Sequence, residues 1–137
     1  LKARAKSVTF VRENRLNGQR VLGDHEKIKV IINNLFSNAI KYTQPGGKIE
    51  AKVFEEQNVI TLLVRDSGKG ISQEFLPYIF DRFRQDDASI TRFYGGLGLG
   101  LAISEHLVKL HKGTIQAQSE GKEKGSIFTV KLPCIKE

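Results

Sequence analysis

Cysteine is almost missing from this 137-residue sequence, and its one copy, Cys134, can close no internal disulfide and complete no multi-cysteine metal site. Long apolar runs are missing too: none approaches the ~20 residues of a membrane-spanning helix, and no charged-then-apolar leader opens the chain. There is no internal repeat and no low-complexity tract. These absences set aside a disulfide scaffold, a helical membrane span and a repeat array, and they lead us to expect a soluble domain in a reducing, cytoplasmic setting. Hydrophobic residues make up 39% and charged residues 27%, the balance of neither a disordered chain nor a membrane protein. One domain over residues 1–137 is expected. The opening "LKARAK" is charged and has neither a cap nor a closed apolar face, so it reads as the end of something longer. A formal charge of +7 is compatible with a nucleic acid, a phosphorylated ligand or an acidic protein surface. Lysine and arginine are dispersed and no aromatic-basic recognition motif appears, which argues against nucleic acid.

Periodicity sketches the elements. "SVTFVREN" alternates like a strand, "NGQ" is a turn signal, and "RVLGD" gives a second short strand. From Asp24, placed as an N-cap, Ile28, Ile31, Ile32, Leu35 and Ala39 recur at helical spacing until "TQPGG" ends the run. Ile49, Ala51 and Val53 then alternate with charged residues as a strand with one wet face, and the more apolar "NVITLLVRD" reads as a central strand. "SQEFLPYIFDRF" predicts a short helix capped by Ser72, followed by the aperiodic "RQDDASITRFYGG". Leu99, Ala102, Ile103, Leu107 and Leu110 form a second helical stripe closed by His111, Lys112 and a Gly113 stop. "TIQAQSE" and "SIFTVKLP", joined by "GKEKG", are two last strands. The order predicts an α+β fold, a mixed sheet covered on one face by helices.

Three constellations carry chemistry. In "YGGLGLGLAI" a glycine-rich segment runs into a helix start, where free backbone N–H groups and the helix dipole suit a phosphate chain. A flexible connection explains such glycines equally well, no Gly-Lys-Ser/Thr follows as in a Walker loop, and no strand leads in as in a dinucleotide fingerprint. On the first long helix Asn34, Asn38 and Lys41 share one stripe at the edge of the core. Two carboxamides can give oxygen ligands to Mg²⁺ and a lysine can meet phosphates, although a solvated polar face is the simpler reading. Three asparagines within six residues are nonetheless costly to a helix. Third, in "RDSGKGI" Asp66 at a strand end can accept a hydrogen bond from an exocyclic amino group, while Gly68 and Gly70 let backbone pass close to a flat base; a plain turn is the alternative.

Taken together, "NNLFSNAIKYT", "DSGKGI", "FDRF" and "GGLGLGLAI" resemble the N, first glycine, F and second glycine boxes of the histidine-kinase catalytic domain, a member of the GHKL ATP-binding superfamily. The resemblance runs from about "SVTF" to "FTVKLP". It implies a two-layer sandwich in which about three helices cover one face of a mainly antiparallel sheet, with ATP and Mg²⁺ as cofactors. It further implies that Asn38 ligates Mg²⁺, that Asn34 helps hold the metal, and that Lys41 lies near the phosphates. Tyr42 would lie against the adenine, Asp66 would bind its amino group, and Gly68, Gly70 and Ile71 would shape the pocket. Gly96, Gly98 and Gly100 would wrap the phosphates, with Leu97 and Leu99 among the nucleotide contacts. Residues 84–96 would be the ATP lid, Arg84 and Arg92 its candidates for reaching the phosphates, and Phe80 and Phe83 its anchors in the core. Ser126 and Thr129 match a looser pattern in which a hydroxyl completes the adenine site, and Thr129 is counted among the nucleotide contacts. Lys69 and Leu97 stand where the family often has other residues.

Such a domain would pass the γ-phosphoryl group to a histidine on a separate dimerisation domain, and through it to a response-regulator receiver domain. The family's acceptor histidine is usually followed by an acidic residue and an "LRTP"-like sequence, which His25, His106 and His111 all lack. The acceptor is therefore expected outside this chain, and His111 is well placed to meet a helix C-terminus. Related GHKL ATPases carry a water-activating glutamate where this chain has Asn34, and an amide cannot take that proton. A serine kinase of the anti-sigma type and a nucleotide-sensing module without transfer are the competing readings. The lid resembles those of hybrid kinases that carry their own receiver domain. The fragment alone is expected to be a monomer without membrane contact.

Overall fold

The computed structural model describes residues 8–16, 18, 21, 23–81 and 99–134, with the side chain of Leu99 excepted. Its strands are β1 (Thr9–Asn14), β2 (Lys48–Glu56), β3 (Val59–Asp66), β4 (Thr114–Gln118) and β5 (Ser126–Pro133). Its helices are α1 (His25–Tyr42) and α2 (Leu99–Leu110), with a single 3-10 turn at Leu76–Tyr78. No described helix is long and apolar enough to cross a membrane.

The strands form one sheet in the order β1-β2-β3-β5-β4, parallel between β1 and β2 and antiparallel elsewhere. Strand alternation sends Ile49, Val64, Phe128, Val130 and Leu132 to one face, where they meet Ile31, Leu35 and Ala39 of α1 and Val108 of α2 in the core. Phe10 of β1 joins them edge-on to Phe36, ring centroids 5.5 Å apart. The architecture is thus the expected α+β sandwich with β3 at its centre.

α1 begins where the sequence predicts. Asp24 Oδ1 accepts hydrogen bonds from the N–H groups of Glu26 and Lys27 at 2.9 and 3.2 Å, satisfying two donors of the first turn. It stops at Thr43, whose hydroxyl donates to the Ala39 carbonyl at 2.7 Å and leaves the helix with extended backbone.

Four expectations need correction. Ser72 does cap its segment, its hydroxyl accepting from Phe75 N–H at 3.2 Å, but the helix is only the Leu76–Tyr78 turn, because Pro77 has no N–H with which to continue the ladder. The helices among the described residues are accordingly two, plus that turn. "RVLGD" contributes, among its described residues, a single bridge between Val21 and Cys134. On α2 the buried residues are Ala102, Ser104 and Val108, whereas Ile103 and Leu110 are 40% and 57% exposed. α2 packs against both α1 and β4, so its inward arc includes small residues that permit close approach. Lastly, the left-handed residue closing α2 is Lys112 (φ 62°), with Gly113 N–H donating to Val108 O at 2.9 Å. Gly113 answers a different need: a Cβ there would run into the Lys131 carbonyl.

Candidate functional site

The last residue of β3, Asp66, sits opposite Ser126 of β5 and is 5% exposed. Its Oδ1 accepts from Gly68 N–H at 2.8 Å and its Oδ2 from the Ser126 hydroxyl at 2.6 Å. Burial raises the carboxyl above its ordinary value, and the hydrogen bonds from Ser126 and Gly68 pull it partway back. A buried carboxylate with acceptor capacity beyond these two bonds is suited to a neutral N–H donor.

The walls around Asp66 are main chain. A Cβ at Gly68 would collide with the Tyr42 carbonyl, one at Gly70 with the Gly121 carbonyl, and one at Gly125 with the Asp66 carbonyl. Gly70 and Gly125 also have φ of 71° and 72°, which other residues adopt at a cost. The loop after β3 is tied to the β4–β5 loop by Gly125 N–H to Gly68 O at 3.1 Å and by Ile71 N–H to Ser119 Oγ at 3.0 Å. Ser119 in turn donates to Gly125 O at 2.7 Å. Ser119, Gly121 and Gly125 escaped the sequence reading; the Ser-x-Gly-x-x-x-Gly spacing in "SEGKEKG" is the signal that a shaped turn lay there. Ile71 is buried beside this turn.

α1 supplies a second wall. Tyr42, in its last turn, lies under Lys69, whose Nζ is 4.4 Å from the ring centroid, and Lys69 N–H donates to the Tyr42 carbonyl at 3.2 Å. Lys41, Asn38 and Asn34 follow back along the helix, all partly buried. At Asn34 the stripe meets the start of α2: Asn34 Nδ2 donates to Gly100 O at 3.1 Å and to Ser104 Oγ at 3.2 Å. Among the described residues, the atom nearest to a Cβ at Gly100 would be Asn34 Cγ at 4.0 Å.

No three His, Cys, Asp or Glu side chains among the described residues cluster to hold a metal. A divalent ion here would depend on carboxamide oxygens. With Asn34 Nδ2 committed to α2, the Oδ1 atom has no donor among the described residues, and Asn38 lies one turn along the same stripe. That donor set fits Mg²⁺ completed by water and phosphate oxygens.

One site residue is not brought beside Asp66. Thr129 pairs with Leu63 and Gln116 and points to the sheet face opposite Asp66, because odd and even residues of β5 face opposite ways. Ser126 provides the hydroxyl instead. Arg84, Arg92, Gly96, Leu97 and Gly98, with the whole segment 84–96 and Phe83, lie outside the described residues, as does the Leu99 side chain. Phe80 packs edge-on against Phe128, centroids 6.3 Å apart. His25 and His106 are exposed, whereas both ring nitrogens of His111 are engaged: Nε2 accepts from Asp24 N–H at 3.0 Å and Nδ1 lies 2.8 Å from Leu107 O.

The family described as histidine kinase-, DNA gyrase B-, and HSP90-like ATPase matches residues 23–136. The chain is 39% identical over 142 residues to hybrid signal transduction histidine kinase D of Dictyostelium discoideum, covering 86% of this chain and 9% of that protein. It is 42% identical over 113 residues to the sensor histidine kinase WalK of Bacillus subtilis, covering 80% of this chain and 18% of WalK. The chain thus spans less than a fifth of either relative. Among solved structures it is similar to the catalytic domain of histidine kinase ThkA, with a TM-score of 0.81 and 28% identity over 96% of this chain and 84% of that one.

Proposed function

Since the chain belongs to the histidine kinase-, DNA gyrase B- and HSP90-like ATPase family, as the ATP-binding catalytic domain of a sensor histidine kinase, we propose that it presents Mg-ATP to a histidine elsewhere in its parent protein. The observation that carries this reading is Asp66 itself: a buried carboxylate among close glycine–backbone contacts, near the end of a helix stripe that holds Asn34 and Asn38 further back. By helical rise, Asn34 and Tyr42 are roughly 12 Å apart, room for a base at one end and phosphates at the other.

In this reading Asp66 accepts the adenine amino proton, Gly68, Gly70 and Ile71 shape the base pocket, and Tyr42 borders the base. Asn38 and Asn34 turn carboxamide oxygens toward Mg²⁺, and Lys41 neutralises phosphate charge. Arg84 and Arg92, in the lid of residues 84–96, reach the phosphates, and Gly96, Gly98 and Gly100 wrap them, with Leu97 and Leu99 among the nucleotide contacts. Bound Mg²⁺ would neutralise charge on the transferring phosphoryl group; the protein's own part is positioning. His111, with both ring nitrogens occupied, is not available as the acceptor. The partners are then the dimerisation and histidine-phosphotransfer domain and, beyond it, a receiver domain, with this domain monomeric by itself.

Calorimetric titration with a non-hydrolysable ATP analogue, with and without Mg²⁺, tests the reading beside an Asp66→Asn variant. We expect wild-type binding strengthened by Mg²⁺ and weakened about tenfold or more by the variant, since an amide presents a donor where the base also donates. Equal affinity of both proteins would remove Asp66 from the base site, and no binding by a folded wild type would overturn the reading.

A further inference from the structure

Ser104 has no exposed surface, and a hydroxyl that is buried must find partners. It has two. Its Oγ donates to Gly100 O, one turn back along α2, at 3.0 Å, and accepts from Asn34 Nδ2 of α1 at 3.2 Å. Asn34 Nδ2 also donates to Gly100 O at 3.1 Å. The three groups form a closed triangle between the two helices.

The triangle settles which way the Asn34 carboxamide faces. Gly100 O is a pure acceptor, and Ser104 Oγ, with its proton committed to that same carbonyl, can only accept from Asn34. Both atoms therefore require nitrogen, and both Nδ2 hydrogens are used. The carboxamide oxygen is driven to the opposite side, away from α2. Removing Ser104 Oγ would leave Asn34 with one bond to Gly100 O and freedom to turn about it.

We propose that Ser104 is a positioning residue, fixing from α2 the orientation in which Asn34 offers Oδ1 to the metal side of the nucleotide site. The inference rests on the reading of Asn34 as a metal-side residue. Ser104 touches neither metal nor nucleotide and acts through the amide alone. A mid-helix serine bonded to its own i−4 carbonyl contributes little to helix stability, so alanine at this position should preserve the fold.

The test measures affinity of the 137-residue chain for a non-hydrolysable ATP analogue in Mg²⁺ and in chelator, together with the thermal midpoint of the unliganded protein. Four proteins are compared: wild type, Ser104→Ala, Ser104→Thr and Asn34→Ala. Outer-shell partners of metal ligands commonly govern ten- to a hundredfold in metal affinity, so Ser104→Ala should lose about tenfold of the Mg²⁺ enhancement. Its chelator affinity and thermal midpoint should stay close to wild type, and threonine, which keeps the hydroxyl, should restore the enhancement. The Asn34 side-chain amide signals in a ¹⁵N NMR spectrum should move in Ser104→Ala, a readout that holds if threonine proves too bulky. Wild-type enhancement in Ser104→Ala, with enhancement lost in Asn34→Ala, would overturn the proposal alone. Wild-type enhancement in Asn34→Ala would overturn the metal-side reading and the proposal with it. Equal losses with and without Mg²⁺, alongside a lower midpoint, would assign Ser104 a packing role and likewise overturn it.

Discussion

The role proposed for Asp66 asks for a carboxyl dry enough to exclude water from a base and still ionised enough to accept a hydrogen bond. Burial raises its carboxyl above the ordinary value of 3.8, while Ser126 and Gly68 oppose that rise. The folded protein thus holds the Asp66 proton to higher pH than the unfolded chain does. Stability rises with pH only where the unfolded state binds more protons, so here the contribution falls as pH climbs from 3.8 through the raised folded value, and then levels off. Urea midpoints measured across this window should decline with pH more in wild type than in Asp66→Asn, and identical slopes would show that the carboxyl is not perturbed. The Asp-x-Gly-x-Gly motif made Asp66, Gly68 and Gly70 legible in the sequence. The family resemblance counts Thr129 among the nucleotide contacts, although phase argues for Ser126: Ser126 alternates in step with Phe128 and Val130, which face the core, and Thr129 does not. The raised carboxyl was not legible, because burial is a property of neighbours from β5 and the β4–β5 loop.

At the scale of elements, the two helices are fastened at two levels. Asn34 ties the middle of α1 to the first turn of α2, and His111 ties the end of α2 to the N-cap of α1. A Cβ at Gly23 would press into the His111 ring, so the chain enters α1 directly against this residue. His111→Ala removes the acceptor of Asp24 N–H and the ring contact at Leu107 O, and should cost about 1–2 kcal/mol. Thermal unfolding should show a midpoint lower by several degrees, with nucleotide affinity little changed. An unaltered midpoint would mean that Asp24 alone holds the start of α1. Sequence placed His111 at a helix C-terminus correctly, but its second partner lies 87 residues away and no local pattern reports it. The α2 stripe failed for a related reason. Periodicity favours the largest apolar residues, whereas a helix wedged between a helix and a sheet edge buries Ala102 and Ser104 and leaves Ile103 and Leu110 outside.

For the whole molecule, strand identity was readable and strand order was not: β5 lies between β3 and β4, a placement that depends on long-range pairing. That insertion brings Ser126 beside Asp66 and the β4–β5 loop against the loop after β3. The site so assembled contains no group positioned as a base at residue 34. A carboxylate there would set negative oxygen against Gly100 O, so this position suits an amide, which cannot take a proton from water. The chain should accordingly bind ATP yet release phosphate at close to the rate of a protein-free control. Sustained multiple turnover in a phosphate-release assay would contradict this and locate a base elsewhere.

The glycine walls around Asp66 have a consequence for inhibitor chemistry. The Tyr42, Gly121 and Asp66 carbonyls that close against Gly68, Gly70 and Gly125 are main-chain atoms, present whatever side chains a related protein carries. The shape of this end is therefore set by contacts that any chain with the same backbone path would share. Selectivity for this protein would have to be sought in side-chain contacts such as that of Lys69 over Tyr42.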